Sequence, residues 1–183
     1  MELPKSLTKI CVAGLILTLA ACASPGNGRP THPTSLQGAS LPAAASQQAQ
    51  SNTPLGRSLL ATINTYRTAP NLAPDPTLQR AAAVHAKDMA LRNYQSHHNP
   101  EGLGPHERVL AVDKRFQGRV AENIWGGSAL PGKSDDQMAA HILQGWNNSP
   151  RHRTTLESSA YSRTGIGVAR KGNAIYVVQL FAE

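Results

Sequence analysis

Cysteine is almost absent from this 183-residue sequence, which has one at position 11 and one at position 22. Both lie ahead of the region with folding potential, so that region can form no internal disulfide even in an oxidising compartment. Aromatic residues make up 4% of the chain, and none precedes Tyr66. Stability must therefore come from the burial of aliphatic side chains.

Several enzyme signatures are missing as well. The sequence has no G-x-S-x-G turn for a serine nucleophile and no H-E-x-x-H pair for zinc, and "WGGSALPGKS" lacks the G-x-x-x-x-G-K spacing of a phosphate loop. If Cys22 is acylated, no thiol nucleophile remains. These absences argue against the serine-hydrolase, zincin and P-loop classes.

The N-terminus has the tripartite pattern of a secretory signal. Lys5 and Lys9 precede an apolar run that is shorter than the roughly 20 residues needed to span a bilayer. The "LAAC" that follows resembles a bacterial lipobox, which predicts a signal peptide over residues 1–21 and lipidation of Cys22. The alternative is an ordinary signal peptide cut after "ACA". A lipidated Cys22 would anchor the chain to a bacterial membrane, and Ala23 favours the outer membrane where two exist.

Residues 22–53 contain no aromatic and almost no large aliphatic side chain, which predicts a flexible tether. The folded domain is then expected over residues 54–183. Removal of the leader changes the net charge from +7 to +6. Such a surface suits anionic lipid headgroups or cell-wall polymers, or simply confers solubility, and secretion argues against nucleic acid as a partner.

Hydrophobic periodicity predicts a mixed α+β fold. Apolar steps of three and four predict helices in "LGRSLLATINTYR", "TLQRAAAVHAKDMALRN" and "DDQMAAHILQGW", with a short helix in "PHERVLAV". Their helical positions favour packing roles for His85, His141 and Trp146. Strands are predicted in "GRVAENIWGG" and in a hairpin turning at Lys171 and Gly172, whose doubly apolar second strand should be central.

Three segments carry side chains capable of chemistry. "YQSHHNPEG" offers His97 or His98, "AENIWGG" offers Glu122, and "WNNSPRHR" offers His152. Imidazoles brought together by a fold can bind Zn²⁺ or act as acid and base, and the residues alone leave both open. Glu122 lies in an apolar strand, where an unpaired carboxylate is costly, and His152 is its expected partner.

The order of these segments, followed by "TGIGVARKGNAIYVVQLFAE", resembles the bacterial branch of the CAP superfamily. This group contains the SCP domain of cysteine-rich secretory proteins, antigen five and pathogenesis-related proteins. The resemblance extends from Leu55 to Glu183. It implies a three-layer α-β-α sandwich with a small mixed or antiparallel central sheet.

The resemblance also implies a cleft lined by two histidines and two acids, which in some members binds a divalent metal such as zinc. By position, His97 and His152 are the histidines and the candidate metal ligands, Glu122 is the first acid, and His98 is a spacer. Animal members carry the second acid a few residues after a helix tryptophan, whereas Trp146 is followed by "NNSPRH". Replacements would have to come from elsewhere in the fold, the candidates being Glu101, Asp135 and Asp136.

Three classes of function follow from these residues and the resemblance. The first is an envelope-anchored module that binds a lipid, sterol or cell-wall glycan. The second is a metal-assisted, peptidase-like hydrolase using His97, Glu122 and His152. The third is an adhesion or virulence-type interaction protein with a vestigial cleft. The missing second acid favours binding over catalysis, because two imidazoles and one carboxylate would give a metal at best three protein ligands, whose geometry the sequence does not fix.

Overall fold

The protein is described by a computed structural model over residues 40–183. The predicted signal peptide, Cys22 and residues 22–39 of the predicted tether lie outside the described residues. The helices and strands, in chain order, are α1 (Ala43–Gln48), α2 (Pro54–Tyr66), β1 (Ala73–Pro74), α3 (Pro76–Arg92), α4 (Pro105–Val112), β2 (Val120–Ser128), α5 (Asp135–Asn147), α6 (Pro150–Glu157), β3 (Arg163–Lys171) and β4 (Ala174–Ala182).

The four strands form one mixed sheet in the order β1-β3-β4-β2. β3 and β4 make the predicted hairpin, closed by Gly172, whose φ of 56° suits a glycine. β2 runs antiparallel to β4, and the two-residue β1 runs parallel to β3. β4 is buried almost throughout between two neighbours, as its doubly apolar sequence predicts.

Helices cover both faces of the sheet, which confirms the predicted α-β-α sandwich. α2, α5 and α6 pack on one face around a core that includes Leu59, Ile63, Ile142, Trp146 and Phe181. α3 and α4 pack on the other face around a core that includes Leu78, Met89, Val109, Val178 and Leu180.

The predicted helix caps are present. The Asp75 side chain accepts hydrogen bonds from the backbone amides of Thr77 and Leu78, and Ser134 forms a capping box with Gln137.

α3 lies unusually close to β3 because two glycines face it. A methyl group on Gly165 would overlap the backbone of Leu78 and Gln79, and one on Gly167 would overlap the backbone of Ala82. The missing side chains let the helix rest directly on the strand, where close packing contributes most dispersion energy.

Three sequence-based expectations differ from the structure. Residues 40–53 do not form a free tether, because α1 packs on α3, buries Ala45 and accepts a 2.6 Å hydrogen bond from Arg80 Nη2 at Ser46 O. His141 is exposed instead of packed, with its ring edge-on to Trp125. A sixth helix, α6, follows Pro150 where the sequence analysis predicts only the end of the preceding helix.

Candidate functional site

Glu122 is the centre of a polar cluster on β2, one of the two edge strands of the described sheet. Its side chain is 1% exposed, and its two oxygens have different partners. Oε1 lies 2.8 Å from His97 Nδ1, and Oε2 is paired with Arg108 Nη2. A buried carboxylate is tolerated only when it is paired and hydrogen-bonded, and here both oxygens are satisfied.

Arg108 is a part of the site that the sequence analysis misses. Arg108 lies on α4, and its side chain is 1% exposed. Its Nη1 donates 2.8 Å hydrogen bonds to the carbonyls of His97 and Leu103. One guanidinium therefore fixes both the Glu122 carboxylate and the backbone of the loop that carries His97. The sequence places Arg108 in the predicted helix "PHERVLAV" but gives no signal of its burial beside Val109.

His97 presents its ring to solvent from this buried support. The side chain is 47% exposed, and Nδ1 is taken by Glu122. With Nδ1–H donating to the carboxylate, the neutral tautomer carries its lone pair on Nε2. No residue within 40–183 hydrogen-bonds Nε2, so this atom can accept from a ligand or bind a cation. His97 pairs with Glu122, a role for which the sequence analysis favours His152.

His152 reaches the same edge of the sheet from the other helical layer. It lies half-buried on α6, and its carbonyl accepts a 3.1 Å hydrogen bond from Asn123 Nδ2. Burial lowers the pKa of His152, and the neighbouring His97 lowers it further. The contact with Asn123, the residue that follows Glu122, places the backbone of His152 beside β2, and both effects on the pKa favour the neutral imidazole.

A second polar network, centred on the buried Asp88, holds the loop in front of β2. Arg92 Nε donates a 2.8 Å hydrogen bond to Asp88, and Nη2 of the same residue lies 2.8 Å from Glu101 Oε2. Tyr94 Oη donates to Asp88 Oδ2 at 2.5 Å. These contacts tie both ends of the loop 93–101 to α3.

His85 fixes the middle of the same loop and thus has the structural role expected of it. It is 1% exposed, and Nε2 donates a 2.9 Å hydrogen bond to the carbonyl of Ser96, next to His97. Burial lowers the pKa of His85 to about 4, with a further lowering by Arg108 that Glu122 opposes. The side chain of Gln95, in the same loop, lies over Gly126 of β2. A side chain at position 126 would displace Gln95.

The remaining candidates lie outside this cluster. Glu101 binds Arg92, Asp136 binds Ser58, and Asp135 lies 3.4 Å from Arg170, so none replaces the missing second acid. His98 is exposed, and its only hydrogen bond among the described residues is from its backbone amide to Ser96 Oγ.

The donor set does not fit a resident zinc ion. Within the described part of the chain, no group of three or more histidine, cysteine, aspartate or glutamate side chains is arranged around a common point. Glu122 has no free oxygen, which leaves His97 and His152 as two imidazole donors where zinc sites use three or four protein ligands. Metal binding by these two residues stays a prediction.

Comparison with known proteins identifies the family. The sequence profile of the cysteine-rich secretory protein family, CAP, matches residues 60–181. The chain belongs to this family. Among curated protein sequences, none matches it significantly.

Solved structures agree with this CAP assignment. An extracellular SCP-domain protein from Bacillus anthracis is 30% identical (TM-score 0.57), and the match covers 70% of this chain and 40% of that one. An outer surface protein of Borrelia burgdorferi is 20% identical (TM-score 0.62; 74% and 98% covered). A Staphylococcus aureus cysteine-rich secretory protein is 21% identical (TM-score 0.53; 70% and 38% covered). The chain thus spans about two-fifths of the first and third relatives.

No helix between residues 40 and 183 combines the length and apolar character needed to cross a membrane.

Proposed function

We propose that this CAP domain is an extracytoplasmic binding module of the bacterial cell envelope. Its ligand is a lipid, sterol or cell-wall glycan, held by hydrogen bonds to His97 Nε2 and to the His152 ring. The observation that carries the proposal is the exposed His97 imidazole, fixed through Glu122 to the buried Arg108. A ring held in one orientation before binding loses little entropy when a ligand arrives.

The chemistry of the site favours hydroxyl-bearing ligands. The Nε2 lone pair of His97 and the ring of His152, whose pKa burial lowers, can each accept from a hydroxyl group, which glycans and sterols supply. The net charge, which is +7 for the full chain and +6 without the predicted leader, supports location beside anionic envelope polymers or headgroups. Membrane attachment through Cys22 would hold the domain beside such ligands.

A thermal-shift screen of the full chain tests this function. The probes are soluble peptidoglycan fragments, phospholipid and cholesterol in matched micelles, and buffer or empty micelles as references. A ligand at about 100 times its Kd stabilises by about 2.7 kcal/mol, which raises Tm by roughly 5–10 °C for a chain of this size. We expect such a shift from one of the three classes.

Variants assign any shift to the site. His97→Ala and His152→Ala should each abolish most of it, whereas His98→Ala, the matched exposed neighbour, should leave it unchanged. No shift with any probe contradicts the proposal. A shift that survives both site substitutions contradicts the assigned residues.

Hydrolysis is a second candidate because Glu122 orients His97 as a carboxylate orients a general base. The base would activate water, since no serine or cysteine side chain is paired with His97 among residues 40–183. Release of fragments from peptidoglycan or a peptide, lost about a hundredfold in His97→Gln, would support it. Elemental analysis tests whether a metal assists. Stoichiometric zinc that is lost in the double variant His97→Ala and His152→Ala would support metal-assisted hydrolysis, and a purified protein without zinc would contradict it.

A further inference from the structure

The outer edge of β3 lies at the opposite side of the sheet from the candidate site. In an antiparallel pair, alternate residues direct both backbone groups away from the neighbouring strand. Thr164 O and the N–H and C=O of Ile166 point outward, because they bond to Asp75 N and to the side chain of Gln79. By the same alternation, Val168 and Arg170 also direct their N–H and C=O groups outward.

The start of this edge is closed by the protein itself. β1 pairs with β3 at Arg163 and Thr164 only. Beyond it, Gln79 binds Ile166 as another strand would: Oε1 accepts from Ile166 N at 3.1 Å, and Nε2 donates to Ile166 O at 2.5 Å. No residue of the described chain makes an equivalent bond to Val168 or Arg170. The ladder of hydrogen-bonding groups therefore continues for two positions without a partner.

A pocket of about 300 Å³ lies against these open groups. Val168, Ala169 and Arg170 form its strand side. Its other walls come from Gln48 and Gln50 at the end of α1 and just after it, from the start of α2, from α3 and from the start of α5. Unpaired strand edges in natural proteins are usually covered, charged or twisted away, since they template the addition of another strand. Here no strand of the described chain covers the edge at Val168 and Arg170: Arg170 is exposed, and Val168, although only 7% exposed, borders the pocket.

The pocket has an excess of positive charge. Lys87 is half-buried in its wall and pairs with no carboxylate among residues 40–183. Arg170 has only Asp135, at 3.4 Å and with both side chains substantially exposed, a contact that contributes little. An acidic side chain or a terminal carboxylate entering the pocket would pair with Lys87 and Arg170.

We infer that the edge of β3 at Val168 and Arg170 binds a short, extended, acidic peptide segment of a partner by β-strand addition. Main-chain hydrogen bonds to the two open residues supply the affinity, and Lys87 and Arg170 select for acidic side chains. This surface is separate from His97 and goes beyond the proposed function, so either can fail without the other.

The experiment is a titration of the purified, ¹⁵N-labelled full chain with an acetylated and amidated hexapeptide of alternating valine and glutamate. We expect amide shifts centred on Val168 and Arg170 and slower hydrogen exchange at both. Two control peptides isolate the causes: one with alternate backbone amides methylated, which cannot form the ladder, and one with lysine in place of glutamate. Both should bind at least about tenfold more weakly.

Variants of the protein test whether the positive charge of the pocket contributes to peptide binding. Lys87→Gln combined with Arg170→Gln should weaken binding about tenfold, whereas Arg115→Gln combined with Lys133→Gln removes the same charge elsewhere and should have little effect. Equal binding of the methylated peptide, equal loss in both pairs of variants, or no shift at Val168 and Arg170 at millimolar peptide would each overturn the inference. Concentration-dependent shifts of these amides without peptide would assign the edge to a second copy and overturn it as well.

Discussion

Arg108 joins the loop before α4 to strand β2. It bonds to Glu122 on β2 and to the carbonyls of His97 and Leu103 in the loop before α4. A buried ion pair adds little net stability, because the cost of desolvating both charges offsets their attraction. The ion pair between Arg108 and Glu122 instead fixes geometry. It holds the loop and the Glu122 carboxylate in one arrangement, and this arrangement orients His97.

At this scale, the sequence predicts the acid better than its partners. Glu122 stands out because a carboxylate in an apolar strand needs compensation. Arg108 does not stand out, because a charged residue on a short helix is usually solvated and only the fold shows that it is buried. His141 shows the reverse error, since helical spacing cannot tell a buried stripe from its exposed margin.

His85 should make stability depend on pH. Its pKa of about 4 in the folded protein is below the usual 6.5, so the unfolded chain binds the proton more tightly. Its contribution is therefore fully present above pH 6.5 and is lost as the pH falls from 6.5 through 4, by on the order of 3 kcal/mol.

The comparison is between the wild type and His85→Gln, which keeps a donor for Ser96 but has no proton to gain. Urea unfolding from pH 4 to pH 7 measures the free energy of unfolding of both proteins. The excess stability of the wild type over His85→Gln should decrease as the pH falls. A difference that stays constant over this range would mean that His85 does not titrate in this way.

Among the elements, those with strong periodicity are predicted and those that depend on long-range contacts are not. α2 and α3 follow from apolar spacing and caps, and β4 follows from its doubly apolar run. α6 has Leu156 as its only buried residue, so its sequence carries no helical stripe. The sequence pattern also does not predict α1 or the two-residue β1, because each is stabilised by residues distant in sequence.

The contact of α3 with β3 gives a prediction about two strand glycines. Gly165→Ala places a methyl group against rigid helix backbone and should lower the free energy of unfolding by about 2 kcal/mol or more. Gly126→Ala meets only the end of the Gln95 side chain, which can rotate away, so its cost should be about 0.5 kcal/mol or less. Urea denaturation of both variants measures the difference, and equal costs would refute the close helix–strand contact.

For the whole molecule, the attachment to a membrane remains to be tested at Cys22. Two or more acyl chains anchor a protein stably to a bilayer, whereas the folded domain offers no spanning helix within residues 40–183. We expect Cys22→Ser to move the protein from the membrane to the soluble fraction after cell fractionation. Ala23→Ser keeps the cysteine and should leave the protein membrane-bound. Continued membrane association of Cys22→Ser would exclude a lipid anchor at this position.

The order of strands also determines when the site can be assembled during synthesis. Within the described sheet, β2 pairs with β4 and with no other strand, and Glu122 lies opposite Leu180, near the C-terminal end of β4. A ribosome makes residues 97–122 long before the segment that anchors them. His97 therefore acquires its orientation only after β4 has been released, and a chain that stops before β4 lacks an assembled site even when every one of the site's residues is present.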